Sequence, residues 1–193
     1  MKGRRRQGGF TLIEVVVVVA VIAILAAILT PFITKYITDS QVARSKNEAQ
    51  VIAAAVTNAY KDLGRWPNRL NATTNYAGIY SGPLGTAAPA APFLNASWAG
   101  LANWGLMYNQ LVINGVGYPA VPSETRWNGP YGAAFPLDPW GRPYVVNARD
   151  FTSVAVPPIP VWVLSAGPNG VIETNIAAAT TSPGGDDIGF RIR

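Results

Sequence analysis

Hydrophobic positions fall into three regimes along the chain. From Phe10 to Thr30 nearly every residue is apolar, a run of 21 positions broken only by Thr11 and Glu14 among its interior residues. As helix this run spans about 30 Å, one hydrocarbon core. Val15 to Val19 would be a mediocre helix in water, but a lone span in lipid must satisfy its own backbone, so helix is required. Pro31 closes the run and is expected to kink or locally melt the helix. Beyond it the pattern becomes amphipathic. Val42, Ala49, Ile52, Ala53, Val56, Ala59, Tyr60 and Leu63 recur at offsets of three, four and seven, while Lys35, Asp39, Arg44, Lys46, Glu48 and Lys61 supply the wet face. Gly64 reads as the residue past the helix end, with Pro67 just beyond.

The third regime is turns and short strands. Asn68 to Glu124 is rich in Asn, Ala, Gly and Pro with scattered aromatics, and Leu101 to Ile113 can hold a short helix. Tyr144 to Asn147, Val161 to Ser165 and Ile188 to Ile192 read as strands. The expected fold is α+β: one helix of roughly fifty residues laid on a small antiparallel sheet that covers its apolar stripe. The domain order is a leader at 1–9, a membrane-spanning or filament-core helix at 10–31, an amphipathic helix at 32–64, and a globular part at 65–193. That last part holds an insertion at about 68–126 and a candidate metal loop at 165–187.

Charge then changes the picture. Formal net charge is +5, but Lys2, Arg4, Arg5 and Arg6 lie in the first nine residues. Without them 11 basic residues face 10 acidic ones. The basic character belongs to the stub and speaks for membrane orientation, with the stub cytoplasmic and the remainder across the membrane. It gives no reason to expect nucleic acid. The chain has no cysteine and no histidine. Ser-His-Asp and Cys-His chemistry is thereby excluded. An anchored hydrolase would be left with acidic dyads such as Asp138 with Asp150, for which no spacing argues.

Glu14 is the anomaly. An acid at the bilayer centre costs about 2.5 to 3.5 kcal/mol, less toward the interface, so a plain anchor would not carry it. The small pair Gly8-Gly9 precedes the apolar run, whereas a secretory signal is cut after it. A cut after Gly9 removes the stub and keeps the apolar segment, with Phe10 as the new N-terminus. In a stack of identical subunits, the Phe10 amine of one could pair with the Glu14 carboxylate of the next.

Gly9-Phe10-Thr11-Leu12-Ile13-Glu14 before an apolar helix resembles the prepilin signature of type IV pilins and type II secretion pseudopilins. The resemblance implies cleavage between Gly9 and Phe10 by a prepilin peptidase that also methylates the Phe10 amine. It implies a single-pass inner-membrane protein with its N-terminus cytoplasmic and its C-terminal domain periplasmic, which self-assembles into a filament. Further motifs look like the major pseudopilin of type II secretion: Trp-x-Gly-Pro-Tyr at Trp127 to Tyr131, the block Asp138 to Tyr144, Ser165-Ala166-Gly167-Pro168-Asn169-Gly170, and Asp186-Asp187-Ile188. On that likeness the expected partners are minor pseudopilins, an inner-membrane assembly platform and its cytoplasmic ATPase, with no catalytic role. A type IV pilus subunit for adhesion, motility or DNA uptake is the alternative.

Asn169, Glu173, Asp186 and Asp187 flank one loop, and such hard oxygen ligands suit Ca²⁺. The resemblance implies a calcium site here with Asp186 and Asp187 as ligands, joined by backbone carbonyls near Leu164 and Val171. Position 169, commonly Asp in that family, is Asn. The chain departs from the family in its long stretch from Pro67 to Trp127 and in its Ala/Thr run from Thr174 to Pro183. In the block Trp127 to Tyr144, Trp127, Trp140 and Tyr144 are expected to bury area against the helix. For Tyr76, Tyr80, Trp98, Trp104 and Tyr108 three readings stay open: a private core, a contact surface between subunits, or a substrate-facing platform.

Overall fold

The computed structural model describes residues 9–71, 73–98, 100–119, 125–176 and 182–193. The basic stub before Gly9 and residues 177–181 of the Ala/Thr run lie outside the described residues. One helix, α1 (Leu12–Leu63), carries the first two regimes. Gly64 ends it at φ +62°, a conformation that favours glycine. Of the two outcomes expected at Pro31, local melting does not occur: α1 continues as helix through that residue. The Thr30 and Thr34 hydroxyls donate to the carbonyls of Ala26 and Thr30, at 2.7 and 3.0 Å.

The chain divides into two compact units, 1–40 and 41–193. In the first, the apolar side chains of α1 are exposed on every side, and an 18-residue window reaches a mean hydropathy of 3.2 with none of it buried. By length and composition this stretch can cross a membrane.

The second unit is an α+β layer structure. After α1 come β1 (Gly78–Tyr80), β2 (Trp104–Leu106), α2 (Met107–Leu111), β3 (Val145–Val146), β4 (Trp162–Ser165) and β5 (Ile188–Arg191). They form one five-stranded sheet in the order β2-β1-β3-β4-β5. The pairs β1/β3, β3/β4 and β4/β5 are antiparallel, and β2 adds a parallel edge strand beside β1.

Side-chain alternation along the strands sets the layers. Ile79, Val146 and Val163 sit in one register row and pack on the α1 stripe of Ala49, Ile52, Ala53, Val56 and Ala59. Tyr80, Val145 and Leu164 occupy the next row and face the other way. There they meet Trp98, Leu101, Leu106 and Ile172 in a second core, with Trp104 and Tyr108 packed against it. The insertion is therefore the cover of the second sheet face. Tyr80, Trp98, Trp104 and Tyr108 go to that core, while Tyr76 packs on the α1 side. Of the three open readings a core is what forms, but it is shared with Val145, Trp162 and Leu164 of the sheet and is not private to the insertion.

The stripe itself differs in two places. Val42 and Tyr60 are exposed, while Ser45 is fully buried. The reason is Tyr144, which is buried against α1 with its hydroxyl 2.7 Å from Glu48 Oε2 and 3.3 Å from Ser45 Oγ. Burial pushes its phenol well above the ordinary tyrosine value. Trp127 packs on the same core, and Trp140 stays half-buried outside it.

Candidate functional site

The first candidate is the start of α1. Thr11 stands at the N-cap position, and its Oγ1 accepts the Glu14 N–H at 3.3 Å. Glu14 Oε2 in turn accepts both the Thr11 N–H and the Thr11 hydroxyl, each at 2.7 Å. This is a capping box, which satisfies two orphan donors of the helix start reciprocally. The carboxylate is thus met within its own chain, by a residue that the hydropathy pattern passes over as a mere polar interruption. Thr-x-x-Glu was the available signal.

The box occupies one carboxylate oxygen. Among the described residues Glu14 Oε1 has no partner, and Phe10, Val15, Val18 and Val19 form an open apolar cavity of about 410 Å³ beside it. A cut between Gly9 and Phe10 leaves Thr11 and its peptide N–H in place, so the box survives processing. A cation arriving from outside the chain would find Oε1 in apolar surroundings, where a charge pair is worth more than in water.

The second candidate is the loop between β4 and β5. The four residues expected there, Asn169, Glu173, Asp186 and Asp187, come together. Asp186 Oδ2 accepts the Asn169 N–H at 2.9 Å, and Asn169 Oδ1 accepts the Val171 N–H at 2.7 Å. Asp187 Oδ2 accepts the backbone N–H groups of Glu173 and Thr174 at 2.9 and 2.6 Å and the Thr174 hydroxyl at 2.5 Å. Glu173 closes the loop by accepting the Asp186 N–H at 3.1 Å. Thr174 is the residue that sequence reasoning passed over. It sits at the head of a low-complexity run and carries no charge to flag it.

The far oxygens of the two aspartates have no such support. Asp186 Oδ1 and Asp187 Oδ1 are buried and have no hydrogen-bond partner among the described residues. Burial raises the carboxyl pKa of Asp187 above its ordinary value, and the nearby Glu173 charge adds to the rise, against the lowering effect of the Thr174 and Glu173 hydrogen bonds. Two orphaned carboxylate oxygens in a loop of oxygen donors fit a hard cation. Among the described residues no group of three or more carboxylates converges as a metal cage. The remaining ligands would therefore be neutral oxygens. Leu164 lies inside β4, paired with both Val145 and Gly189. Val171 enters the loop through the N–H that it gives to Asn169.

The insertion braces this loop. Trp98 Nε1 and Asn95 Nδ2 donate to the Thr174 carbonyl at 2.8 and 3.3 Å, and the Ile172 N–H donates to the Phe93 carbonyl at 2.8 Å. On the other side Arg142 Nη1 donates to the Gly167 carbonyl at 3.0 Å.

The conceivable acidic dyad dissolves into structure. Asp138 holds a turn through Trp140 N–H, Arg142 N–H and the Ser165 hydroxyl. Asp150 is bound by Arg149 and by Asn147 Nδ2.

No curated protein and no solved structure shows significant similarity to the chain. Residues 4–30 match the family model described as Prokaryotic N-terminal methylation motif. That match takes in Gly9, Phe10 and Glu14 together with the apolar run, and it is the prepilin signal of pilins and pseudopilins, pointing to prepilin peptidase processing, filament assembly and a structural subunit, not an enzyme. The motif indicates a type IV pilin-like protein.

Proposed function

We propose that the chain is a structural subunit of a periplasmic pseudopilus that drives protein export through a type II secretion system. The observation that carries an assembling role is Glu14. It is a lone carboxylate in an apolar run, held in place by Thr11 on one oxygen and open on the other. The Phe10 amine of an incoming subunit is the natural partner, because it lies at nearly the same depth and carries the opposite charge. Pairing in lipid removes the cost of the acid, so the charge recruits each new copy while the helices pack. The assembly platform, its cytoplasmic ATPase and minor pseudopilins belong to this reading, as does a single-pass inner-membrane state with the second unit in the periplasm. The export role rests on the likeness of the blocks at 127–144, 165–170 and 186–188 to the major pseudopilin.

Calcium is part of the same proposal. Asp186 and Asp187 would hold it through their unpartnered Oδ1 atoms, with Asn169 and the carbonyls of Leu164 and Val171 completing the set. The bound ion would supply charge neutralisation and loop closure.

Glu14→Ala tests the assembling role. The protein should remain stable and membrane-inserted, since lipid loses nothing when an acid becomes alanine, yet sheared filament should be strongly depleted. Equal filament yield from variant and wild type would remove the charge-pairing role. Secretion arrested with the filament would support the export reading. Intact secretion with lost twitching or adhesion would support a type IV pilus instead.

A further inference from the structure

The second unit carries an apolar knob and an apolar groove that nothing among the described residues fills. The knob is the loop Ser153–Pro157, which leaves a 3-10 helix (Ala148–Thr152) and returns to β4. Val154 is 93% exposed and Val156 96%. Two isolated exposed valines would need no explanation, but this loop is held out firmly. The Arg193 guanidinium donates to the carbonyls of both Phe151 and Ser153. Phe151 stacks on Trp66 with ring centroids 4.4 Å apart, and Trp66 stacks on Tyr60 at 4.2 Å. The knob is therefore pinned beside the C-terminal end of α1.

The groove lies at the other end of the same unit. It has a volume of about 450 Å³, with Val51, Ile52, Phe135 and Pro136 as its apolar walls and Arg44 and Glu48 on its rim. Val51 is 61% exposed. The rim charges are spent on internal partners. Arg44 Nε lies 2.8 Å from Glu48 Oε1, and Glu48 Oε2 takes the Tyr144 hydroxyl. The groove thus presents an apolar floor with its charges neutralised. The knob matches it, because Ser153 to Pro157 contains no charged residue.

We propose that the occupant is a second copy of this chain: Val154 and Val156 of one subunit seat in the groove between Val51 and Phe135 of the next. Along α1, Val51 at the groove and Tyr60 in the stack beside the knob are separated by about 13.5 Å of helix. Joined head to tail, a knob and a hole at different places on one unit make a heterologous contact, which propagates as a filament where its rotation does not close a ring; the reciprocal two-fold pairing of the same two features would stop at a dimer. The head-to-tail form gives the filament an axial contact in the second unit, independent of Glu14. The inference rests on the filament reading above.

The chain contains no cysteine, so disulfide trapping has a silent background. Full-length Val51→Cys/Val156→Cys is expressed in membranes, sheared, mildly oxidised and run without reductant. The expected result is a covalent ladder extending past the dimer. Val156→Cys alone and Val156→Cys/Ala102→Cys should stop at dimer. In parallel, Val154→Asp/Val156→Asp should lower filament yield roughly tenfold or more, since a charge would have to enter an apolar groove, with subunit level and melting temperature unchanged. Normal filament yield with no ladder and no effect of the aspartates overturns the inference and leaves the filament reading standing. Loss of liposome binding by the aspartate variant with filaments intact also overturns it, and makes the knob a membrane contact. If the cysteine pair blocks assembly, the aspartate pair decides alone. Absence of filaments in the wild type sinks the filament reading and this contact with it.

Discussion

Calcium is the perturbation whose size follows most directly from the loop. Asp187 Oδ2 already holds three donors, while Oδ1 of Asp186 and of Asp187 are buried and unmet among the described residues. A buried acceptor left without a partner costs about 1–3 kcal/mol, more when charged. An ion placed there removes that cost for both oxygens. At one hundred times its dissociation constant, a ligand of the folded state alone adds about 2.7 kcal/mol. For a chain of this size each kcal/mol moves the melting midpoint by about 2–4 °C, so the shift should be about 5–10 °C. The assay is thermal unfolding of the full chain in detergent, read by tryptophan fluorescence, because Trp98 bonds the Thr174 carbonyl and reports on this loop. Calcium is compared with chelator. Asp187→Ala should abolish the difference. Asn169→Asp should lower the midpoint in chelator, because it adds a negative charge at a position whose backbone N–H already bonds Asp186, and should enlarge the calcium shift.

The pH dependence gives a second, signed readout. Burial raises the Asp187 carboxyl in the folded chain above its unfolded value. The folded state then binds the proton more tightly than the unfolded state. In chelator the contribution of Asp187 to stability is fully present below the unfolded pKa and is lost as pH rises through the folded one. Calcium favours the carboxylate and inverts the slope, so stability is lost as pH falls. Identical midpoints with calcium and chelator, and identical pH slopes, would refute the reasoning and leave the loop as a hydrogen-bonded acidic turn.

Intact mass of protein from native membranes should show a chain beginning at Phe10 with one added methyl group; a species starting at Met1, or cut beyond Leu29, would contradict the prepilin reading. Tyr144→Phe should cost about 1–2 kcal/mol, because Glu48 Oε2 and Ser45 lose a buried hydroxyl partner. A lowered denaturant midpoint with unchanged slope would show it, and an unchanged midpoint would mean that the Tyr144 ring alone locks the sheet to α1.

Where burial follows a period, the sequence shows it. The α1 stripe was legible because it places apolar residues at helical spacing, and the strands at 145–146, 162–165 and 188–191 because each falls in a short run of β-branched and aromatic residues. β1 was not. Gly78, Ile79 and Tyr80 are all buried, since the insertion covers the sheet face that would otherwise be wet and polar. A strand covered on both faces loses its alternation. β2 is hidden for a related reason. Gly105 is small because the Tyr76 ring lies within 2.4 Å of where a Cβ would stand, so a packing glycine reads as a turn. At the N-terminus the motif was plain, yet Thr11 as the intramolecular partner of Glu14 was not, because the thought of a buried acid directs attention outward.

Pilin-like proteins with a bare outer sheet face would expose its strands to solvent or to neighbours. Here Trp98 stands at the junction of two jobs. Its indole fills the second core with Leu164 and Ile172. Its N–H holds the Thr174 carbonyl, while the N–H and hydroxyl of the same Thr174 hold Asp187. The sheet cover and the acidic loop are consequently one mechanical piece. Strain in the insertion passes to Asp187 most directly through Thr174, and an ion that fixes Asp187 also fixes the insertion over the sheet. The long segment between Pro67 and Trp127 is thus coupled to the candidate metal loop by construction, and a change in one is read out in the other.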